Sequence, residues 1–248
     1  MNTQEIEHIL RSNADKYETA NFIVGDPSWF MHQVGGSKNQ EAMAFIASTL
    51  SYGSRKQFLP KIDHIRQASQ GEVHRWLKER MFRTDFRIDD TRAFYRLYTY
   101  GRYAAFLEAY ADLIDEYGTI GDMLRQKNTK TGIEAVEQIC GYFAKKGVDV
   151  IIPKDTTSAC KRVCMFLRWM VRTDSPVDIG IWSDFIDKKS LIMPLDTHVM
   201  QQSASLELLS CKSASMSAAR QLTKNLSVYF PEDPLRGDFA LFGYGVNK

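Results

Sequence analysis

The sequence has few cysteines and histidines, and none of them falls in a zinc-binding spacing. Its four cysteines, Cys140, Cys160, Cys164 and Cys211, form no Cys-x-x-Cys pair, and its five histidines are scattered singly along the chain. A structural zinc site needs about four such ligands at short spacings. We therefore predict reduced, mostly buried cysteines, no metal site and no cofactor.

Long apolar runs are also missing. No segment approaches the roughly 20 apolar residues that a membrane span requires. The first residues, Met1 to Glu5, lack the basic and apolar regions of a signal peptide. We expect a cytoplasmic protein that does not bind membranes.

Neither sign of charge dominates the chain. The formal net charge is +2 and 25% of the residues are charged, so the total charge does not identify a nucleic-acid-binding protein. With 44% hydrophobic residues and 12% aromatics, the 248 residues can bury a substantial core. No linker rich in Pro, Gly or Ser divides them, and we expect one module.

Apolar residues recur three and four positions apart through nearly the whole chain, which predicts an all-α fold. The strongest predicted helix runs from Thr157 to Arg172, and another begins at Asp196. Two more are predicted from Asp90 to Gly118, meeting at Gly101. Five aromatic residues of this region have a spacing that favours core packing over stacking on a base. They are Phe94, Tyr95, Tyr98, Tyr100 and Tyr103.

Positive charge is concentrated between Lys154 and Arg172. The segment holds five basic residues and one acidic residue, a local excess of four. At 100° per residue, Lys161, Arg168 and Arg172 fall within about 20° of one line on a helix. The stripe predicts either a solvated helix face or a surface that follows DNA phosphates.

A second segment, Pro194 to Val199, places an aspartate where an apolar run gives way to helical periodicity. Asp196 is predicted to be the N-cap of the next helix, accepting backbone N–H bonds of its first turn. The positive end of the helix favours the ionised carboxylate. For His198 the prediction is either a packing role or a role in the same first turn. These structural roles require no catalysis.

Together the two segments resemble the helix-hairpin-helix DNA glycosylase superfamily. Its members carry a lysine at the start of a long apolar helix and, further along, a Val-Asp-Thr-His-Val type sequence that begins another helix. Here Ala159 to Val163 and Leu195 to Val199 occupy those places in that order, with Lys161 and Asp196 at the catalytic positions.

Two further segments are similar to members of the superfamily. Ala44 to Ser51 looks like an early helix that ends in Leu-Ser before a DNA-probing loop. Phe166 to Arg172 resembles an uncharacterised bacterial branch grouped with the superfamily. The resemblance spans about Gln40 to Gly245.

The sequence departs from the superfamily at its hairpin. Members usually have Leu-Pro-Gly-Val-Gly before the lysine, whereas this chain has no glycine between Gly147 and Gly180. The 35 positions from Lys161 to Asp196 exceed the spacing in endonuclease III, whose iron–sulfur loop is absent here. Gly53 stands where that enzyme inserts a glutamine into DNA.

The resemblance implies a two-lobed helical fold with a DNA-binding cleft, one lobe from about 40 to 165 and the other from 1–39 plus 166–248. It implies damaged duplex DNA as partner, and base excision or abasic-site cleavage as activity. The neutral amine of Lys161 would attack the sugar C1′ and form a Schiff base. Asp196 would stabilise positive charge on the sugar and assist proton transfer.

The other site residues follow from the same resemblance. The predicted DNA contacts are Lys154, Ser158, Arg162, Arg168, Arg172, Arg55 and Lys56, the predicted DNA wedge is Tyr52 or Gln57, and His198 has a supporting role.

Two alternatives remain open at this point. Beside a glycosylase or lyase, the chain could be a DNA-binding member that has lost catalysis, which the altered hairpin would permit, or a helical interaction module without nucleic-acid function. In the second case Lys161 is simply solvated and Asp196 only caps its helix.

Overall fold

Helices make up most of the structure, a computed structural model that describes residues 1–211 and 213–246. The all-α prediction is confirmed, with a single short hairpin as the β-structure of the described ranges. Within those ranges, no helix has the length and apolar character needed to cross a bilayer.

The elements follow one another in this order. The helices are α1 (Thr3–Tyr17), α2 (Ser37–Leu50), α3 (Arg55–Ala68), α4 (Val73–Lys78), α5 (Tyr100–Tyr117), α6 (Ile120–Gln126), α7 (Gly132–Lys145), α8 (Lys161–Val171), α9 (Thr197–Ser205), α10 (Met216–Leu226) and α11 (Arg236–Val246). Short 3₁₀ helices cover Ala20–Ile23, Pro27–Gln33, Met81–Thr84 and Lys188–Ser190, and the hairpin strands are β1 (Ala93–Tyr95) and β2 (Tyr98–Thr99).

The chain divides into two compact units. The first comprises Met1–Phe22, Lys130–Val136 and Thr156–Lys248, and the second comprises Ile23–Thr129 and Glu137–Asp155. The predicted lobes, with limits near residues 40 and 165, therefore differ in position from these units. The 3₁₀ helix at Pro27–Gln33 packs against α2, which places it in the second unit.

The first unit joins the two ends of the chain, because α1 packs along α11. Phe22 makes edge-to-face contacts with Phe239 and Phe242, each at 5.0 Å between ring centroids. Gly243 lies where a Cβ would overlap the ring of Tyr17, so glycine permits the close approach of the two helices.

The second unit has an aromatic core around α2, α5 and α7. The ring of Phe45 lies 5.9 Å from that of Phe106 and 5.3 Å from that of Phe143. Glu41, also buried, accepts a 2.7 Å bond from the backbone N–H of Ile120 at the start of α6. This carboxylate supplies the partner that the first N–H groups of a helix otherwise lack.

One helix prediction is wrong. The segment from Asp90 to Gly101 is not a helix, because residues 93–99 form the hairpin of β1 and β2, and only the second helix of the pair, α5, is present. The turn of the hairpin contains Arg96, whose φ is 49°. Core packing is nevertheless confirmed for four of the five aromatics. Phe94, Tyr95, Tyr98 and Tyr103 are buried, while Tyr100 is half-buried.

Candidate functional site

Lys161 and Asp196 lie side by side in the first unit. Nζ of Lys161 is 2.6 Å from Oδ2 of Asp196, although 35 positions separate the two residues. Lys161 is the first residue of α8, and Asp196 immediately precedes α9. The two side chains are 37% and 33% exposed, so a ligand can reach them.

Asp196 is the N-cap of α9, as predicted. Its Oδ1 accepts a 2.9 Å bond from the backbone N–H of Val199, so the two carboxylate oxygens have separate partners. Burial raises the pKa of the Asp196 carboxyl, but the charge and hydrogen bond of Lys161, together with the Val199 bond, outweigh it, and the pKa lies below its ordinary value. Asp196 is therefore an anion at neutral pH.

Lys161, in contrast to Asp196, carries a charge that the dipole of its own helix disfavours. The N-terminal end of a helix dipole carries partial positive charge, which disfavours an ammonium there by about 0.3–1 kcal/mol. The Asp196 carboxylate compensates for this repulsion. Because the carboxylate also caps α9, one group holds the lysine at the start of α8 and fixes the start of the next helix.

The segment before Lys161 is an irregular turn without glycine. Cys160 has a left-handed backbone conformation, φ 46° and ψ 36°, which is uncommon for a residue with a side chain. The backbone of Ser158 forms a bridge with that of Ser215, next to the first residue of α10. The turn is therefore anchored to the neighbouring α10 segment.

The predicted burial of the cysteines is confirmed for three of the four. Cys140, Cys160 and Cys164 are buried, and Cys211 is half-buried. Burial raises the pKa of the Cys164 thiol well above its ordinary value, which keeps it protonated and unreactive.

The structure corrects the predicted basic stripe on α8. Arg168 and Arg172 are only 4% and 1% exposed, so neither guanidinium offers a surface to DNA phosphate. Both bind Asp178, which is buried between them. Arg168 also pairs with Asp238 of α11.

The Arg172 guanidinium completes this buried ion cluster. It bonds Asp233 at 2.7 Å and Glu18 at 2.6 Å, and these partners come from the two ends of the chain. Burial lowers the pKa of Arg172, but the hydrogen bond to Asp233 and the charge of Asp178 outweigh it and hold that pKa above the ordinary value. The helix face that periodicity assigned to solvent is instead an internal ion-pair network.

Asp238 connects this cluster with the candidate site. Burial raises the pKa of its carboxyl above the ordinary value, the charges of Arg168 and Lys161 oppose that rise, and the charge of Asp196 adds to it. Asp238 therefore responds to the charges of both members of the Lys161–Asp196 pair. Sequence patterns gave no sign of it, because it lies 42 positions beyond Asp196 without any motif.

The remaining predicted site residues are distributed over both units. In the first unit, Ser158 and His198 are exposed and Arg162 is half-buried. In the second unit, Lys154 is exposed, as are Lys56 and Gln57 in the first turn of α3. The structure thus brings Lys161 and Asp196 together in one unit.

The predicted DNA-contacting residues Tyr52 and Arg55 are both engaged by neighbours in the second unit. The Tyr52 ring lies 5.0 Å from that of Tyr95, under the Arg96 guanidinium. Arg55 lies 3.4 Å from the Asp26 carboxylate. Tyr52 therefore packs against the hairpin and does not project into solvent as a wedge would.

The hairpin tip presents an apolar side chain that the sequence analysis missed. Leu97 is 71% exposed, although the aromatic residues on either side of the turn, Tyr95 and Tyr98, are buried. The neighbouring Arg96 is also exposed. The turn lacks the Asn-Gly or Asp-Gly pair that predicts a tight hairpin from sequence.

A family model described as "Protein of unknown function (DUF2400)" matches residues 26–247. The matched range includes both Lys161 and Asp196. No curated protein and no solved structure matches the chain. Within the described ranges, no group of three or more His, Cys, Asp or Glu side chains is placed to hold a metal ion.

Proposed function

The chain belongs to the DUF2400 family of proteins of unknown function, and we propose that it is a DNA N-glycosylase or abasic-site lyase. The observation that carries the proposal is the 2.6 Å approach of Lys161 Nζ to Asp196 Oδ2. Sequence resemblance alone pairs these two residues as nucleophile and carboxylate, and their partial exposure suits an attack on bound substrate.

The lyase reaction uses the Lys161 amine on the open-chain aldehyde of an abasic sugar. The nitrogen bonds to C1′, the carbonyl oxygen leaves as water, and an imine forms. Loss of a proton from C2′ then lets the C3′–O bond break, and the 3′ phosphate leaves with the electron pair. The imine is the species that borohydride reduces to a stable covalent adduct.

The proton on Lys161 must leave before the nitrogen can attack. In the free protein the Asp196 carboxyl is ionised, because its pKa is lowered. Asp196 is the acceptor in direct hydrogen-bond contact. When bound DNA excludes water, the desolvation cost of two charges favours transfer of the proton from Nζ to the carboxylate.

Base excision would use the same carboxylate differently. Breaking the bond between C1′ and the base leaves positive charge on the sugar while the base takes the electron pair, and the Lys161 amine or water then bonds to C1′. An ionised Asp196 beside the sugar stabilises that charge. Its cap bond to Val199 restricts the carboxylate, so little reorganisation is needed when the charge develops.

Contacts with DNA are assigned to residues that solvent reaches. We retain Lys154, Ser158, Arg162 and the first turn of α3, and we remove Arg168 and Arg172 because they are buried. Leu97 replaces Tyr52 as the wedge, because an exposed leucine beside an arginine is the kind of side chain that enters a base step.

One observation favours a second candidate, a DNA-binding protein without catalysis. The turn before Lys161 has no glycine, and its backbone is bridged to Ser215 at Ser158, so part of the backbone that would contact phosphate in the usual hairpin is already paired. In that case the Lys161–Asp196 pair would have only a structural role, connecting the start of α8 with the start of α9.

The experiment that separates these functions is borohydride trapping on a panel of labelled duplexes that carry an abasic site or a damaged base. A covalent adduct is expected. A salt-dependent gel shift without an adduct would support the non-catalytic DNA-binding protein. Absence of both would favour a helical interaction module.

A further inference from the structure

A cavity of about 320 Å³ opens on the first unit, and neither Lys161 nor Asp196 lines it. Its charged lining consists of Lys189, Arg220 and Lys224, and its apolar wall includes Ile133, Leu191 and Pro234. A volume of this size is within the range of small-molecule sites, which combine an apolar wall with a few polar groups.

The hydroxyl groups at the cavity already have partners. Ser190 Oγ accepts a 2.9 Å bond from the backbone N–H of Gly132, and Thr223 Oγ1 accepts one of 2.9 Å from that of Met193. These bonds fix the backbone that shapes the cavity. Recognition of a ligand therefore falls mainly to the cationic side chains.

Arg220 and Lys224 are one turn apart on α10, and both are exposed. Like charges at this spacing repel each other. Neither forms an ion pair with a carboxylate of residues 1–211 or 213–246, whereas Arg168, Arg172 and Arg236 of the same unit each do. The two cations also line a second opening of about 420 Å³ on the same helix.

Lys189 faces the cavity from the 3₁₀ helix at Lys188–Ser190. Its ammonium lies 2.7 Å from the Glu232 carboxylate, but Glu232 is 77% exposed and the pair is in solvent. Such a surface pair contributes little. Lys189 is thus available to exchange this partner for a more highly charged anion.

We propose that this cavity binds the phosphate group of a phosphate ester. Arg220 offers a planar fork that binds two phosphate oxygens, and Lys224 adds a point charge one turn away. The apolar wall at Leu191 and Pro234 carries the organic part of the ligand. This chemistry fits two sources, the backbone of bound DNA or a free nucleotide.

The DNA source rests on the proposed function and has a structural connection to it. The helix that carries Arg220 begins directly after Ser215, and the backbone of Ser215 is bridged to that of Ser158, three positions before Lys161. A strand that follows α10 from its first residue would therefore start beside the segment that leads into the candidate nucleophile.

The test compares the double variant Arg220→Gln, Lys224→Gln with a matched control in the full chain. The control, Arg75→Gln with Lys78→Gln, removes the same two charges from an exposed face of α4 in the second unit. The probes are a labelled undamaged duplex, followed by anisotropy, and thymidine monophosphate, followed by calorimetry. Thermal unfolding verifies that both variants fold.

We expect the α10 variant to bind one probe at least ~10-fold more weakly than the control variant. Loss confined to the duplex, with a salt dependence reduced by about two counterions, identifies the DNA backbone as the source. Loss of nucleotide binding identifies a free phosphate ester. The proposal is overturned if wild type binds neither probe, or if the two variants bind both probes equally.

Borohydride trapping tests the lyase assignment separately from the phosphate site. A wild-type chain that forms no borohydride adduct, yet binds a probe through Arg220 and Lys224, loses the lyase assignment and keeps the phosphate site. A chain that traps DNA with undiminished binding in the α10 variant keeps the lyase assignment and loses the phosphate site.

Discussion

Asp196 combines two interactions that the sequence suggested separately. One carboxylate oxygen caps α9 through Val199, and the other binds Lys161. Capping requires only an acceptor, which asparagine also provides, whereas the ion pair and any stabilisation of a cationic sugar require charge. Substitution at this residue can therefore separate its structural role from its electrostatic role.

The lowered pKa of Asp196 predicts how this residue affects stability with pH. A carboxyl with a folded-state pKa below its ordinary value of 3.8 contributes stability above that value and loses it as pH falls through the folded pKa. The wild type should therefore exceed Asp196→Asn in Tm by a constant amount above about pH 5, and the gap should close in the acid range.

Scanning calorimetry of both proteins from neutral to acid pH measures this gap. Asp174→Asn serves as the control, because Asp174 is 86% exposed and its pair with Lys188 at 3.7 Å is in solvent. A wild-type advantage over Asp196→Asn that persists unchanged at the lowest pH would contradict an ionised Asp196 in the folded state.

At the scale of elements, α8 shows what periodicity can and cannot predict. The spacing of Lys161, Arg168 and Arg172 correctly gave one face of a helix. It could not reveal that the last two are covered, because Asp178 follows in a loop without a motif and the other partners, Asp233 and Glu18, come from distant segments. A basic stripe is the same in sequence whether water or carboxylates cover it.

This buried cluster predicts a large loss of stability for Arg172→Met. Removal of one partner from a buried ion network leaves uncompensated charge and costs about 3–5 kcal/mol. Arg87→Met is the control, because its pair with Asp89 is 70% and 66% exposed, and its loss should cost at most about 1 kcal/mol.

Urea denaturation measures the free energy of unfolding of both variants. The double variant Arg172→Met, Asp233→Asn should regain part of the loss, since it also removes one orphaned carboxylate. If Arg172→Met is as stable as the Arg87→Met control, Arg172 does not belong to a buried ion network.

We expect a substitution at the tip of the β1–β2 hairpin to weaken DNA binding without weakening the fold. Leu97→Ser removes an exposed apolar tip, so thermal unfolding should stay within about 0.5 kcal/mol of wild type. If the tip enters a base step, affinity for duplex DNA should fall several-fold. Anisotropy with a labelled duplex measures the change, and Ile88→Ser, at a second exposed apolar residue, is the control. Equal affinity of both variants would remove Leu97 from the DNA-binding surface.

The same hairpin explains one limit of the sequence analysis. Its aromatics were correctly assigned to the core, but their short segment was assigned to a helix. The turn at Arg96 adopts a positive φ without glycine or asparagine, so the usual turn signal is absent. Here packing of Tyr95 and Tyr98 in the second unit overrides local preference.

At the scale of the whole chain, the sequence predicted the helical class and the N-cap at Asp196. It also paired Lys161 with Asp196 through family resemblance, and the structure places the two groups 2.6 Å apart. Asp238, Leu97 and the cavity at Arg220 were not predicted, because each depends on side chains that meet only through tertiary packing. A single sequence does not show which distant residues become partners.

The most direct measurement of the central claim is borohydride trapping of an abasic-site duplex by wild type, Lys161→Gln and a matched Lys188→Gln control. Lys188 is a partly exposed lysine of the same unit, paired with Asp174. We expect wild type and the control to form a covalent adduct and Lys161→Gln to form none. Asp196→Asn should form it about 100-fold more slowly.

DNA affinity, measured in parallel, should change no more than a few-fold in Lys161→Gln, because one charge contributes only a fraction of duplex binding. This separates loss of chemistry from loss of binding. An adduct of unchanged yield with Lys161→Gln, or no adduct with wild type, would contradict the assignment of Lys161 as the nucleophile.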